Sequence, residues 1–286
     1  MKLLVFGFGY SGRAVAKAAY AAGFAVTATS RQPALQKPEI GTEIIAFTKA
    51  GGAIADATHI LATAAPDAAG DPVLLRYGAQ IAAAKNLRWA GYLSTTGIYG
   101  NRDGDWVDED TIPAPQSPRA ERRVAAETAW AKFPNIAVDI FRLAGIYGPG
   151  RSMFDDLREG MARCVVKPGH LFGRIHRDDI AHGVVAAMRR NANPGVNIFN
   201  FSDDEPAASA DVVVEAARIL GVAPPAPVAF TDAYASMSEM ARSFWAENRK
   251  VGNAKTKAAL GIHWKYPTYR EGLRAILVEE RGEASL

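Results

Sequence analysis

Three glycines near the start of the chain have the spacing of a loop that binds the phosphates of a dinucleotide. Gly7, Gly9 and Gly12 follow an apolar run at residues 3–6 and precede an alanine-rich segment with a helical pattern. In such a strand–turn–helix unit the first glycine permits a tight turn. The second lets the backbone approach a pyrophosphate, and the third lets the helix lie close to the strand. The start of the helix adds unpaired N–H groups and a partial positive charge. We therefore predict that a nucleotide cofactor contacts this loop, which comprises Gly7, Phe8, Gly9, Tyr10, Ser11 and Gly12.

The end of the second predicted strand indicates which cofactor the loop would hold. A protein that binds NAD usually has Asp or Glu there, which accepts hydrogen bonds from the ribose 2′-hydroxyl. This chain has Ser30 and Arg31 instead, and a hydroxyl with a cation suits a 2′-phosphate. A charge-assisted hydrogen bond of about 1.5–3 kcal/mol would favour NADP by roughly ten- to a hundredfold. We predict NADP, with NAD as the alternative; the competing interpretation is that Arg31 is a solvated loop cation.

Composition and charge argue against several other classes of protein. The 286 residues include 33 Lys and Arg against 30 Asp and Glu, so the net charge of +3 gives no reason to expect nucleic acid. No apolar run approaches the roughly 18 residues of a membrane span. The single cysteine, Cys164, and the absence of a cleavable signal pattern fit a cytoplasmic location. His176 and His182 are six residues apart, which is not a metal-binding spacing on a helix, and we predict no metal.

Apolar runs alternate with helical patterns over the first two hundred residues. Strands are predicted at 3–6, 25–29, 43–47, 60–63, 89–94, 138–143 and 197–201, and helices at 12–22, 73–85, 118–133 and 179–190. This alternation is typical of βαβ units with right-handed crossovers. The sequence therefore predicts an α/β fold with a Rossmann-like, doubly wound parallel sheet.

The length and the later segments indicate a second domain. A chain of this length exceeds the usual size of a single core. We expect a nucleotide-binding domain at residues 1–150, completed by a returning segment at 173–202. A smaller substrate domain would comprise residues 151–172 and 203–286. The cleft between the two domains is the expected substrate site.

Four later motifs point to one family of enzymes. They are LSTTGIYG at 93–100, RLAGIYGPG at 142–150, IHRDDIA at 175–181 and YPTYREGL at 266–273. Together with the glycine loop they resemble, in order, motifs of the extended short-chain dehydrogenases/reductases, the NAD(P)-dependent epimerase/dehydratase group. The resemblance implies a Rossmann domain with NAD(P), a small substrate domain and, in many members, a homodimer. The helical stretches at 79–84 and 118–133 are the candidates for dimer contacts.

The resemblance also carries roles to individual positions. Thr95 stands where the family has a catalytic Ser or Thr that hydrogen-bonds the reacting oxygen of the substrate; alternatively its hydroxyl only closes a strand end. Ala64, Ala65 and Pro66 stand where the family passes its backbone beneath the cofactor. Tyr147 precedes the loop beside the nicotinamide, and its alternative is a packed aromatic residue.

One departure from the family concerns the proton donor. The family uses a Tyr with a Lys four residues later, and alignment on Pro118 and Glu127 puts Arg119 and Arg123 at those two positions. The spacing keeps both side chains on one face of the helix. A guanidinium stays protonated in proteins, so Arg119 cannot act as the general acid or base. Such catalysis typically contributes about 10²–10⁴-fold, and we expect the usual alcohol–ketone step to be severely impaired.

Two functions follow from these residues. The first is an NADP-dependent oxidoreductase or epimerase acting on a small molecule, with Thr95, Arg119 and Arg123 in an atypical active site. Arg123 is suited to the nicotinamide ribose, and Arg119 to a carboxylate or phosphate, so an anionic substrate is one expectation. Alternatively, Arg119 only faces solvent. The second function is a catalytically silent NADP-binding sensor or regulatory protein. No residue is assigned as a replacement proton donor.

Overall fold

Seven parallel strands form the central sheet of the computed structural model, which describes residues 1–37 and 39–282. The chain forms thirteen strands within that part: β1 Lys2–Phe6, β2 Ala25–Ser30, β3 Thr42–Ala46, β4 His59–Ala62, β5 Trp89–Thr95, β6 Trp106–Val107, β7 Ala137–Leu143, β8 Gly145–Tyr147, β9 Cys164–Val166, β10 Arg174–His176, β11 Gly195–Phe201, β12 Pro227–Ala229 and β13 Lys250–Val251. The sheet has the order β3-β2-β1-β4-β5-β7-β11. The predicted fold class is confirmed.

The central strands are buried because helices cover both faces of the sheet. Every residue of β7 is buried, and so are four of the five residues of β1. Strands that are buried on both faces have nearly continuous apolar sequences, which is why these runs were readable from the sequence.

Eleven helices accompany the strands in the described residues: α1 Tyr10–Ala21, α2 Gly51–Asp56, α3 Pro72–Ala83, α4 Pro118–Trp130, α5 Met153–Arg158, α6 Arg177–Arg189, α7 Ser209–Leu220, α8 Phe230–Tyr234, α9 Glu239–Ala246, α10 Ala254–Leu260 and α11 Tyr269–Glu280. Helices α1 and α6 pack on one face through Val15, Ala19 and Val184. Helices α3 and α4 pack on the other through Tyr77 and Trp130. None of the described helices is long and apolar enough to cross a membrane.

The elements outside the central sheet are shorter. Three parallel pairs of two or three residues each, β8–β10, β9–β12 and β6–β13, lie apart from it. Helices α5, α7 and α11 bury a separate apolar cluster that includes Phe154, Val212 and Leu273. The sequence predicted all seven strands of the sheet and the four helices that cover it, but not α2 or these short pairs.

The strand order fixes where a ligand can enter. β1 and β4 are neighbours, and the chain continues from them toward opposite edges of the sheet, β1 to β2 and β4 to β5. Loops that leave such a switch point at the carboxyl ends of the strands diverge and leave a crevice. The loop after β1 carries the three glycines, so the fold brings them to this crevice.

Candidate active site

The three glycines of the loop after β1 have different surroundings. Gly7 has a φ of +106°, and a Cβ there would overlap the hydroxyl of Thr63. A Cβ on Gly12 would overlap the carbonyl oxygen of Gly7, whereas a Cβ on Gly9 would have no atom within 4 Å. Gly7 is thus required for the turn and Gly12 for the close approach of helix and strand. Gly9 leaves free space beside the backbone, as a phosphate requires.

A cleft of about 630 Å³ opens beside this loop. Its wall includes the loop after β1, the end of β5, the start of α4, β8 and the segment from α9 to β13. The predicted site residues that line it are Gly9, Tyr10, Ser11, Gly12, Thr95, Arg119, Arg123 and Tyr147. The structure therefore brings the phosphate loop and the proposed catalytic positions to one cavity.

The other predicted site residues lie outside the wall of this cleft. Phe8 is 5% exposed and belongs to the core, and its N–H donates to the Thr29 carbonyl at 3.0 Å. Ser30 and Arg31 lie at the end of β2, where the Ser30 hydroxyl accepts the Gln32 N–H at 3.1 Å and Arg31 is exposed. Gly7 directly follows β1, and Ala64, Ala65 and Pro66 follow β4 after Thr63. The cofactor contacts expected of these residues stay predictions.

Thr95 ends β5 and lines the cleft. Its hydroxyl oxygen accepts the Gly97 N–H at 3.1 Å and so begins a short 3₁₀ turn over Thr96–Tyr99. The hydroxyl thus closes the strand end. Because it accepts in that bond, its own proton is still available for an acceptor in the cleft.

The two arginines of α4 have different environments. Arg123 is 9% exposed, and its Nη1 donates to the Leu93 carbonyl at 2.6 Å and to the Tyr92 hydroxyl at 3.2 Å. Arg119, one turn earlier, is exposed and makes no hydrogen bond or ion pair with the described residues. Arg123 is therefore fixed against β5, and Arg119 is a cation at the wall of the cleft with no protein partner there.

A buried polar network holds α4 in this position. Glu127 pairs with Arg142 of β7 at 2.9 Å, and both side chains are at most 7% exposed. The Ser94 hydroxyl donates to Glu127, and Arg142 donates to the Tyr99 hydroxyl at 2.9 Å. The Tyr99 hydroxyl donates in turn to Asn200, and burial raises the pKa of Tyr99. This network uses Tyr99 as a structural group.

The two tyrosines that line the cleft, Tyr10 and Tyr147, both direct their hydroxyls to backbone carbonyls. The Tyr10 hydroxyl donates to the Pro149 carbonyl at 3.1 Å, and the Tyr147 hydroxyl is directed to the Thr268 carbonyl at 3.5 Å. Burial raises the pKa of both side chains. The Tyr147 ring packs edge-on against His176, with the centroids 5.1 Å apart, as a packed aromatic residue would.

His176 lies outside the wall of the cleft. It is 1% exposed, and burial lowers its pKa to about 4. Its Nδ1 accepts the Asp178 N–H, so that His176 caps α6. Asp179 instead accepts the N–H groups of Lys265 and Tyr266.

The sequence did not identify the opposite wall of the cleft. This wall carries Phe244, Trp245, Glu247 and Arg249, which follow one another along α9 and the loop to β13. Arg249 donates through Nη1 to the Gly100 carbonyl at 2.9 Å and to Glu247 at 2.6 Å. These residues match none of the motifs, and some 150 positions separate them from Thr95, so no local pattern indicated the contact.

Solved structures with the same architecture include proteins of known family. A conserved protein of unknown function from Silicibacter pomeroyi is 43% identical, with a TM-score of 0.88 over 98% of this chain and 99% of that one. An assigned NAD-dependent epimerase/dehydratase from Methylobacillus flagellatus is 25% identical, with a TM-score of 0.74 over 98% of both chains. The human epimerase family protein SDR39U1, solved with NADPH, is 19% identical, with a TM-score of 0.73 over 96% of this chain and 99% of that one. The likeness to the human protein shows the fold alone.

Among curated proteins, a Streptomyces 3-diazoavenalumate denitrifying reductase is 26% identical over 181 residues. The match spans 58% of this chain and 58% of the reductase. No model of a protein family matches the chain.

Proposed function

We propose that this chain, which belongs to the extended short-chain dehydrogenases/reductases of the NAD-dependent epimerase/dehydratase type, is an NADP-dependent oxidoreductase or epimerase of a small anionic molecule. One observation carries the proposal. The phosphate loop, represented by Gly9, and the positions of the family's catalytic groups, Thr95, Arg119 and Arg123, line a single cleft.

The residues of the loop suit the phosphates of a dinucleotide. The space beside Gly9 is free of protein atoms within 4 Å, and no side chain caps the start of α1. The first N–H groups of a helix have no partner within it and attract anions. Arg151 lines the cleft beside Tyr10, with its guanidinium 5.8 Å from the centre of that ring, and adds positive charge.

The choice of NADP rests on the end of β2. Ser30 ends that strand and Arg31 follows it, exposed, with no carboxylate at the position that would repel a 2′-phosphate. The NADPH in the human protein of the same fold supports a nicotinamide cofactor in general. NAD is the alternative.

Each side chain of the cleft would have a separate role. When bound, the cofactor would supply a hydride in its reduced form or accept one in its oxidised form. The Thr95 hydroxyl donates to the reacting oxygen of the substrate, and Arg123 donates to the ribose beside it. Arg119 holds an anionic group. Because no guanidinium gives up its proton, these groups would stabilise the alkoxide that hydride addition to a carbonyl leaves, and water in the cleft would supply the proton that completes the alcohol.

Consumption of NADPH tests this function. The protein is mixed with NADPH and a panel of small carbonyl compounds that carry a carboxylate or a phosphate, and NADPH fluorescence is followed. We expect turnover, with a loss of roughly 10²-fold in Thr95→Val, the size typical of removing one donor to a developing oxyanion. Thr95→Ser should restore most of the rate, because it keeps the hydroxyl.

Thr231→Val serves as the matched control, since Thr231 is exposed and outside the cleft. Tight binding of NADPH without any decay of its fluorescence would contradict an enzyme. It would favour the alternative, a catalytically silent sensor of NADP.

A further inference from the structure

Arg249 brings a fixed guanidinium to the end of β5. Its Nη1 is held by the Gly100 carbonyl and by Glu247, and its side chain is 15% exposed. Its Nη2 makes no hydrogen bond with the described residues. A Cβ on Gly97 would lie 3.3 Å from Thr95 Oγ1 and 3.9 Å from Arg249 Nη2. One donor of Arg249 therefore faces the same small space as the Thr95 hydroxyl.

The charge around this space is positive. Five arginines and one carboxylate, that of Glu247, line the cleft in the part of the chain that is described: Arg119, Arg123, Arg151, Arg174 and Arg249. Glu247 already pairs with Arg249 at 2.6 Å. An anion entering here meets an excess of cations, and a planar guanidinium suits the two oxygens of a carboxylate.

An aromatic side chain on the same wall of the cleft is exposed to solvent. Phe244 lines the cleft, yet it is 54% exposed. Its neighbour Trp245 packs against Phe172, with ring centroids 5.0 Å apart, and against Phe230 at 5.3 Å. These contacts of Trp245 fix the end of α9, and they hold in place the backbone that carries Phe244. A flat apolar ligand would remove that surface from water.

We infer that the cleft takes an aromatic carboxylate. The carboxylate binds Arg249 Nη2 beside the Thr95 hydroxyl, and the aromatic ring packs on Phe244. Arg119 supplies a second cation at the wall. This inference rests on the proposed function, because it concerns the same cleft, and it names the class of substrate.

Binding of a simple probe tests the inference without turnover. The protein is saturated with NADP⁺ and titrated calorimetrically with trans-cinnamate and, separately, with cinnamamide, which has the same shape but no charge. Cinnamate should bind at least about tenfold more tightly than the amide, the size of one charge-assisted contact. Arg249→Met and Phe244→Ala should each weaken cinnamate by a similar factor.

Matched variants separate this effect from general damage. Arg189→Met removes an exposed arginine and Leu35→Ala an exposed apolar side chain, both outside the cleft, and both should leave cinnamate binding unchanged. Arg249→Lys keeps a charge without the second amino group, so it should bind cinnamate with intermediate affinity. If Arg249→Met does not fold, the inference is tested with Arg249→Lys and with Phe244→Ala, which replaces an exposed side chain.

The NADP⁺ titration is read independently of the cinnamate titration. Absence of NADP⁺ binding would contradict the proposed function itself. NADP⁺ binding together with no cinnamate binding, or with equal affinity for cinnamate and cinnamamide, would overturn the aromatic carboxylate alone.

Discussion

At the scale of single residues, Gly9 and Gly12 are three positions apart but tolerate a methyl group very differently. A Cβ on Gly9 enters empty space, and a Cβ on Gly12 overlaps the carbonyl oxygen of Gly7. Gly12 is therefore required by the fold, whereas the fold makes no such demand of Gly9, where we propose that a bound ligand does.

We expect Gly9→Ala to keep its thermal stability and to lose at least about tenfold in NADP⁺ affinity, since the methyl group takes the space of a phosphate contact. Gly12→Ala should unfold at a clearly lower temperature, because α1 must move away from β1. Gly52→Ala, with no atom within 4 Å and outside the cleft, is the control that should change neither property. Thermal unfolding measures the stability of each variant, and calorimetric titration measures its NADP⁺ affinity. Unchanged NADP⁺ affinity in Gly9→Ala would contradict the placement of the phosphates.

We propose that Arg119 stands where the family has its phenol, and a substitution at this position tests that proposal. Arg119→Tyr introduces a group that can exchange a proton, so alcohol oxidation or ketone reduction should be at least about tenfold faster than in Arg119→Phe. Arg119→Phe is the matched control, because it has the same ring without the hydroxyl. Equal rates in the two variants would show that a missing proton donor is not what limits the reaction.

At the scale of the elements, the position of α4 depends on a buried ion pair. Glu127 and Arg142 join α4 to β7, and Arg123 joins α4 to the Leu93 carbonyl of β5. The face of α4 that carries both arginines toward the cleft is therefore set by these buried contacts.

Removing one partner of this pair should be costly. Glu127→Ala leaves Arg142 buried without its carboxylate, and we expect the free energy of unfolding to fall by about 3–5 kcal/mol in denaturant titrations. The exposed pair of Lys2 and Asp56 is the control, since Asp56→Ala should cost less than about 1 kcal/mol. Similar losses in both variants would refute the structural role of the network.

The strands and the cleft residues also show which features of the structure could be predicted from the sequence. The strands of the sheet were predictable because burial on both faces makes them continuous apolar runs, as in β7. The resemblance to the family singled out Thr95, Arg119 and Arg123, and the structure places all three in the wall of one cleft. Arg249 and Phe244 were not predictable, because tertiary folding alone brings them to Thr95. The pairs β6–β13 and β8–β10 are too short to show a period of their own.

At the scale of the whole molecule, three histidines are buried in different parts of the fold. His59, His170 and His176 are at most 6% exposed, and burial lowers the pKa of each to about 4. The unfolded chain takes up these protons near pH 6.5, whereas the folded chain does not until about pH 4. Each histidine therefore reduces stability as the pH falls through that window. Asp179 acts in the opposite direction, because burial raises its pKa to about 6.

His170 allows this effect to be isolated. Its ring packs against both Phe172 and Trp245, so His170→Phe keeps an aromatic side chain there and removes the titration. As the pH falls from 7 to 4.5, the free energy of unfolding of the variant should rise relative to that of the wild type. The gain should reach about 2 kcal/mol at pH 4.5. Denaturant unfolding at several pH values measures the difference. A difference that does not change with pH would contradict a neutral, buried His170.

Calorimetric titration with NADP⁺ and with NAD⁺, in the wild type and in Arg31→Ala, tests the central claim most directly. NADP⁺ should bind at least about tenfold more tightly than NAD⁺ to the wild type, and Arg31→Ala should remove the difference while keeping NAD⁺ affinity. Absence of binding heat with either cofactor would contradict the assignment of the glycine loop and its cleft.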